Sequence, residues 1–453
     1  MKTLNLKFVI CISLLFGFGP PNFARSEDDV WPQWRGPSGF GHSNASNLPL
    51  QWDESKNVVW SVGTNGRGYS SPIVRGQQIW ITSAIETLAS ADDAASRLKI
   101  NTGDQPLTVL DRVEFLAECL DRRTGKLLHS IRLFSFEKPQ WVHKLNSYAS
   151  PTPYLDGNRL YCHFGAFGTA CLNTDTSNVE WVNQELQVMH ENGPGGSPIV
   201  AGDYVVFHLD GSDKQFIAAL DKHTGKVAWR TDRSGEMNPN PQLKKSYGTP
   251  ILVEIDGTSQ IVSPASNWLY GYDIRSGSEL WKIPYGQLGF SLTPRPVVGN
   301  GMIYLATGFG KGQILAFKYQ GLAKPEIAWK FARGTPTMPS PLLVDTELYF
   351  ITDTGVLTCL DALTGVEHYR ERLSGNFSSS LWYADRKIFI SSREGDTYVF
   401  SPGPKFELLS KNTLPEPIMA TPAAIGREIY LRTEKRMFRL EALSQNETRD
   451  PVP

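Results

Sequence analysis

The stretch Pro341–Tyr369, PLLVDTELYFITDTGVLTCLDALTGVEHY, decides the fold, because its parts recur along the whole chain. A proline opens it, followed by short apolar residues, a turn, and an apolar-aromatic run that reaches Tyr349, eight residues on. A tight turn, Asp353-Thr354-Gly355-Val356, then leads into Cys359-Leu-Asp361-Ala-Leu-Thr-Gly365, and an aromatic residue, Tyr369, sits four beyond the glycine. Pro72–Trp80, Pro153–Tyr161, Pro198–Val206, Pro296–Tyr304 and Pro422–Tyr430 repeat the opening at the same spacing. Leu381–Phe389 fits with Leu in place of Pro, and Pro250 opens a stretched copy with its turn enlarged at Glu254–Gln260, which makes eight copies.

The second half recurs as Cys119-Leu-Asp121…Thr124-Gly125, Ala219-Leu-Asp221…Thr224-Gly225 and Gly271-Tyr-Asp273…Ser276-Gly277. Trp229 and Trp281 stand where Tyr369 does, and Trp181 and Trp329 end less regular copies. Each unit therefore reads as four short strands joined by tight turns. In the Asp-x-x-Thr-Gly turn the carboxylate accepts from backbone N–H groups and the glycine takes φ > 0. Four-stranded units every 40 to 50 residues predict an all-β, eight-bladed β-propeller of antiparallel blades. Asp121, Asp221, Asp273 and Asp361 are expected to cap turns. The tryptophans are expected to wedge between blades.

The two ends predict how the ring closes. The last copy ends after strands near Ile429–Thr433 and Met437–Leu443, without a Trp-bearing fourth strand. Asn57–Val62 is an orphan strand carrying Trp60. Lending it to the last blade removes two exposed edges. One insertion, 84–114, separates strands two and three of the first blade. Ser90-Ala-Asp-Asp93 predicts a capped helix over Ser90–Leu98. The divisions expected are a leader at 1–26, an extension at 27–56, the propeller at 57–443 and a tail at 444–453.

Residues 1–26 read as a secretory leader. Lys2 and Lys7 precede an apolar run, Phe8–Phe18, too short to span a bilayer, and Ala24-Arg25-Ser26 fits a signal-peptidase cut. Cys11 lies inside the run after Ile10, which does not fit a lipoprotein cut. The mature chain is expected to be periplasmic or extracellular, monomeric and without a transmembrane segment. A net charge of −1 supplies no field for nucleic acid.

On these repeats the chain resembles the PQQ-like β-propellers, the quinoprotein alcohol dehydrogenase-like superfamily that includes the BamB-type lipoprotein of outer-membrane assembly. Trp31-Pro-Gln-Trp34-Arg35-Gly36-Pro37 and Gly66-Arg-Gly-Tyr-Ser-Ser-Pro72 resemble exported PQQ-like proteins of planctomycete-type bacteria. For an enzyme, the resemblance implies a quinone dehydrogenase, with an adjacent Cys-Cys pair over PQQ and Glu, Asn and Asp ligands around Ca²⁺. The sequence has no Cys-Cys pair, and no such ligand set is matched. No cofactor and no catalytic residue are therefore expected, PQQ with Ca²⁺ being the alternative.

Other motifs point the same way. Gly308-Phe-Gly-Lys-Gly312 reads as a turn, since a phosphate cradle of the P-loop kind needs a helix after it. His190-Glu191 lacks the second His of a zinc-protease helix, and no metal site is expected. The sequence favours a binding platform over an enzyme. In a propeller the segments entering the innermost strands converge on the channel. There His143, Lys144, Asn146, Tyr148, His190, Glu191, Asn192, Lys245, Tyr247, Arg295 and Arg333 stand where other blades carry Gly, Ser and Pro. They form a candidate rim for an envelope protein or polymer. Cys162 and Cys171, placed opposite each other by alignment on a tip at Ala166-Phe167, are a candidate disulfide. Cys119, Cys171 and Cys359 share one place in the repeat.

Overall fold

The computed structural model describes residues 30–442 except 102 and 322. The leader, with Cys11, and the 444–453 tail lie outside the described residues. Eight antiparallel sheets form an eight-bladed β-propeller. Blade 1 runs from its innermost strand Ile73–Arg75 through Gln78–Leu88 and Leu110–Asp121 to the outermost, Leu127–Glu137. Blades 2 to 8 begin at Tyr154–Asp156, Ile199–Ala201, Ile251–Ile255, Val297–Gly299, Leu342–Val344, Trp382–Ala384 and Ala423–Ile425.

Burial follows from the layering. In blade 6 the second and third strands, Glu347–Ile351 and Val356–Asp361, are buried at nearly every position, because blades pack on both their faces. The outermost strand, Glu367–Arg372, alternates and is charged, which protects an edge that faces water.

The ring closes as expected. Val58–Gly63 pairs with Arg436–Glu441 as the fourth strand of blade 8, with Trp60 opposite Arg439. All eight blades carry a β-bulge between strands three and four beside this position, as at Ala219/Leu220 and Cys359/Leu360. The bulge bends the outer strand and, where that strand carries an aromatic residue at this place, aims it at the next blade.

Four blades receive that residue in the same way. The indole N–H of Trp60 donates to Arg122 O, Trp181 to Lys222 O, Trp229 to Ile274 O and Trp329 to Ala362 O, all in or beside the neighbour's Asp-turn. In each of these turns the Asp Oδ1 accepts from the backbone N–H and hydroxyl of the Thr or Ser three residues on. The turn glycine lies flat under the indole: a Cβ on Gly225 would come within 2.4 Å of Trp181. Trp281 differs. It packs between blades 4 and 5, but its N–H turns back to Gln260 Oε1 at 2.7 Å. Gly271, opposite it, leaves the room, since a Cβ there would meet the indole at 2.1 Å.

A hydroxyl belt links the innermost strands. The second residue before each first strand bears a hydroxyl in seven blades, and six of the N–H groups at this place donate to the next blade's hydroxyl oxygen. Ser71 gives to Thr152, Thr152 to Ser197 and Ser197 to Thr249, each at 2.9 Å. Arg295 gives to Ser340, Ser340 to Ser380 and Ser380 to Thr421 at 2.9 to 3.0 Å. Arg295 is itself the exception in the belt.

One sequence expectation holds and one changes. The 84–114 insertion extends both flanking strands, Ala84–Leu88 against Leu110–Phe115, while residues 89–109 leave the sheet. Within it, helix Ala91–Leu98 forms under its Ser90 cap, whose side chain accepts from Asp93 N at 3.2 Å. The Cys162–Cys171 disulfide is not formed, and all four described cysteines are free and buried. The hairpin tip is a five-residue loop with a 3-10 turn at Gly165–Phe167, so Cys162 opposes Ala170 and Cys171 opposes Tyr161. That one-residue slip sends the two thiols to opposite faces of the blade, into different inter-blade clusters. Cys119, Cys171 and Cys359 do share one place, each opposite the aromatic residue that ends strand two's opening run.

Candidate functional site

The extension before the propeller is a hairpin inserted into the channel. Trp31 pairs with Val74 of blade 1, and Pro32 O accepts from Leu155 N of blade 2. The chain turns over Arg35 and Gly36–Gly41, then descends beside blade 7, where His42 bridges Tyr383. It leaves past Gly426 and Asp385, in the turns below blades 8 and 7. Trp52 then packs in the cluster between blades 7 and 8, with Trp382, Phe389 and Phe438.

Arg35 is fully buried at the crest of this hairpin. It donates to Pro341 O and Leu381 O at 2.7 and 3.1 Å, tying blades 6 and 7. Arg295 donates to Trp34 O and Gln33 Oε1. Burial, then the charge of Arg295, pushes the Arg35 pKa down to about 9. Burial likewise pushes Arg295 to about 10. No ion pair is found for either among the described residues.

The face above the hairpin carries the connections from fourth strands to first strands and from second to third. Its mouth gathers side chains from several blades. Arg67 donates to Tyr69 OH and Lys144 O, and lies over the Tyr69 ring. Burial, then the charge of Arg393 from blade 7, lowers the pKa of His143 in the connection before blade 2, so the two face one space. Lys144 is exposed, and so is Arg333, whose guanidinium pairs with Glu367 at 3.0 Å.

The other sequence-selected residues are occupied within the structure. Tyr148 is fully buried against Phe115 and Phe167, and its hydroxyl donates to Gln140 O. Asn146 donates to Asn192 O and Pro194 O, and Asn192 Oδ1 accepts from Gln105. Glu191 is buried and accepts from Ser212 Oγ at 2.8 Å. Tyr247 OH donates to His190 O, and Lys245 Nζ to Gln242 Oε1. Burial pushes the Lys245 pKa to about 8, while the charge of Glu191 opposes that shift.

His190 lines a cavity of about 20 Å³ together with His163 and His208. Burial pushes His163 and His190 down to about 3 and His208 well below its usual range. A fully buried ion pair, Arg233–Asp210 at 3.0 Å, stands beside them. No group of His, Cys, Asp or Glu among the described residues is arranged to hold a metal. Sequence reasoning missed Arg35, Arg67 and Arg393. Arg35 lay in the quoted Trp-Pro-Gln-Trp-Arg-Gly-Pro stretch, and Arg295 stood out as the one non-hydroxyl residue of its repeat position.

The fold and its seams define an eight-bladed propeller built on tryptophan-bearing repeats. The family model described as "Outer membrane protein assembly factor BamB" matches residues 114–328. No curated protein matches the sequence. Among solved structures, BamB from Moraxella catarrhalis is similar at 11% identity and a TM-score of 0.51, over 79% of this chain and 98% of that one. A europium-containing methanol dehydrogenase is similar at 11% identity and a TM-score of 0.52, over 92% and 98%. The quinohemoprotein alcohol dehydrogenase from Comamonas testosteroni is similar at 10% identity and 0.51, over 93% and 82%. Residues 114–328 thus resemble that family's repeats, and the solved structures share the β-propeller fold with this chain.

A calcium-bound quinone is a poor fit to the donors in the channel. Calcium takes carboxylate and carbonyl oxygens, whereas the charged groups at the crest of the hairpin are Arg35 and Arg295. The four described cysteines are dispersed in separate strands and buried in the seams.

Proposed function

We propose that this protein is an exported, non-catalytic binding platform of the cell envelope, which presents its upper face to a protein or polymer. The observation that carries this reading is the channel filled from below by the chain's own hairpin, crowned by two buried arginines. What remains open above is a mouth of side chains from several blades, including Arg67, Tyr69, Lys144 and Arg393, which suits recognition by contact. Likeness to BamB supports a protein partner, and the leader-like start supports export. Among the described residues no helix is long and apolar enough to cross a membrane.

Crosslinking the full chain in its native envelope tests the reading. Lys144→Glu and Arg67→Glu, at the mouth, are expected to lose the specific crosslinks while thermal melting stays within a few degrees of the parent. Crosslinks unchanged in both variants would remove this face from the proposal. A stoichiometric chromophore with dye-linked alcohol oxidation, after incubation with PQQ and Ca²⁺, would replace it with a dehydrogenase.

A further inference from the structure

A second feature of the upper face lies away from the mouth. A cavity of about 410 Å³ opens between the loop joining strands two and three of blade 5 and the connection from blade 5 to blade 6. Its floor is the Gly308-Phe-Gly-Lys-Gly312 segment. No helix follows this segment, as the sequence predicts.

The loop is pinned at its base and open at its crown. Thr307 N donates to Gln313 O at 3.0 Å, and Gln313 N returns to Thr307 Oγ1 at 2.8 Å. Phe309 and Phe290 exchange both backbone hydrogen bonds, and their rings meet edge to face at 5.5 Å. Between these pins, the N–H groups of Gly310, Lys311 and Gly312 find no acceptor among the described residues. Gly308 and Gly310 both take positive φ, +92° and +94°. Positive and negative φ in alternation turn successive N–H groups toward one side, the geometry of an anion-binding nest. Gly312 admits no side chain, since a Cβ would approach Gly308 O to 2.4 Å.

The charge of the lining agrees. Lys311 is the one ionised group of its lining, it has no ion pair among the described residues, and no carboxylate lines the cavity. The Thr335 and Thr337 side chains add hydroxyl donors on the facing wall. Three fixed amide donors, one free ammonium and two hydroxyls, with no competing acid, form a donor-rich cavity.

We infer that this cavity is an anion subsite, taking a phosphate or carboxylate group at the Gly310–Gly312 amides with Lys311 as its counter-charge. The inference rests on the binding reading above and gives one of its contacts a chemistry.

Titration calorimetry of the full mature chain at low ionic strength, with inorganic phosphate in one arm and acetate in the other, tests it. Binding in either arm is expected, weakened at least tenfold in Lys311→Glu and weakened by added salt, with melting unchanged. The arm that binds more tightly identifies the source as phosphate or carboxylate. Thr335→Val, which keeps the loop intact, is expected to weaken binding by a smaller factor. Heat in neither arm, or affinity unchanged in Lys311→Glu, would overturn the subsite. Envelope crosslinks that persist alongside such a result would leave the platform standing, so the two failures are separable.

Discussion

Half of the seams between blades share one device, and the other half do not. Between blades 8 and 1, 2 and 3, 3 and 4, and 5 and 6, a tryptophan lies on the neighbour's Asp-turn and donates to its backbone. The remaining seams use what is locally available. Blades 1 and 2 join through Phe115, Phe134, Phe164 and Phe167. Blades 4 and 5 enclose Trp281, bonded to Gln260. Blades 6 and 7 use Tyr369 against Phe406. Blades 7 and 8 take Trp52 from the extension. The difference teaches that the repeat specifies a large apolar wedge at each seam, while its identity and hydrogen bond are free to drift. The wedge buries the area that stabilises the ring, and the polar anchor refines its position.

The comparison can be broken most severely at Trp60. Trp60→Ala removes a docked wedge from the strand that closes the ring, and Trp181→Ala removes one from a seam inside it. Both are expected to lose about 3–5 kcal/mol of unfolding free energy in urea. Trp60→Ala should sit at the upper end, since blade 8 also loses hold of its borrowed strand. Equal, sub-kilocalorie losses would show that the seams do not depend on their wedges.

Acid separates the seams next. His163, His190 and His208 cluster about blades 2 and 3, and burial holds all three imidazoles neutral. The neighbouring charges are Arg233, paired with Asp210, and Asp213, which opposes the shift at His190. In the unfolded chain each imidazole protonates near pH 6.5, whereas His163 and His190 in the fold protonate only near 3. As pH falls below 6.5, the unfolded state takes up protons first. Stability is therefore whole above 6.5 and declines toward 3, by about 1.4 kcal/mol per pH unit for each imidazole. His190→Leu is expected to flatten that slope by about a third, because neither ring nitrogen of His190 has a partner to lose. Denaturation midpoints at pH 7.5 and 5.5 measure it, and an unchanged slope would refute the assignment.

The smallest effect sharpens the distinction between docked and undocked seams. Asp221→Ala removes the acceptor for Thr224 and is expected to cost about 1 kcal/mol. Because Trp181 rests on that turn, a cycle with Trp181→Phe should show a coupling of at least about 0.5 kcal/mol. The same cycle between Trp281→Phe and Asp221→Ala should be additive, as Trp281 touches no Asp-turn.

Strand pairing within each blade was legible, because a period-two pattern and an Asp-turn leave one register for the hairpins that follow them. Where a loop departs from the repeat, as at Phe164–Gly168, the repeat's spacing no longer gives the register, and Cys162 and Cys171 fall on opposite faces of the blade. The candidate site was less legible. His190, Lys245, Tyr247 and Arg295 are polar residues of the approach segments, but Lys245, Tyr247 and Arg295 are bonded to their own neighbours, and His190 is buried with neither ring nitrogen partnered among the described residues. Polarity in a sequence does not say whether a donor faces water or a carbonyl from a blade hundreds of residues away.

The number of blades, the four strands in each, the closure by Val58–Gly63 and the place of the wedges are written in the residues alone, because they follow from local turn chemistry and from patterns repeated eight times. Long-range packing alone set the place of Trp31–Leu48 in the channel, the tie of Arg35 to blades 6 and 7, and the lack of acceptors among the described residues for the Gly310–Gly312 amides. Those outcomes depend on contacts between segments far apart in the chain, and no repeat encodes them because each occurs once.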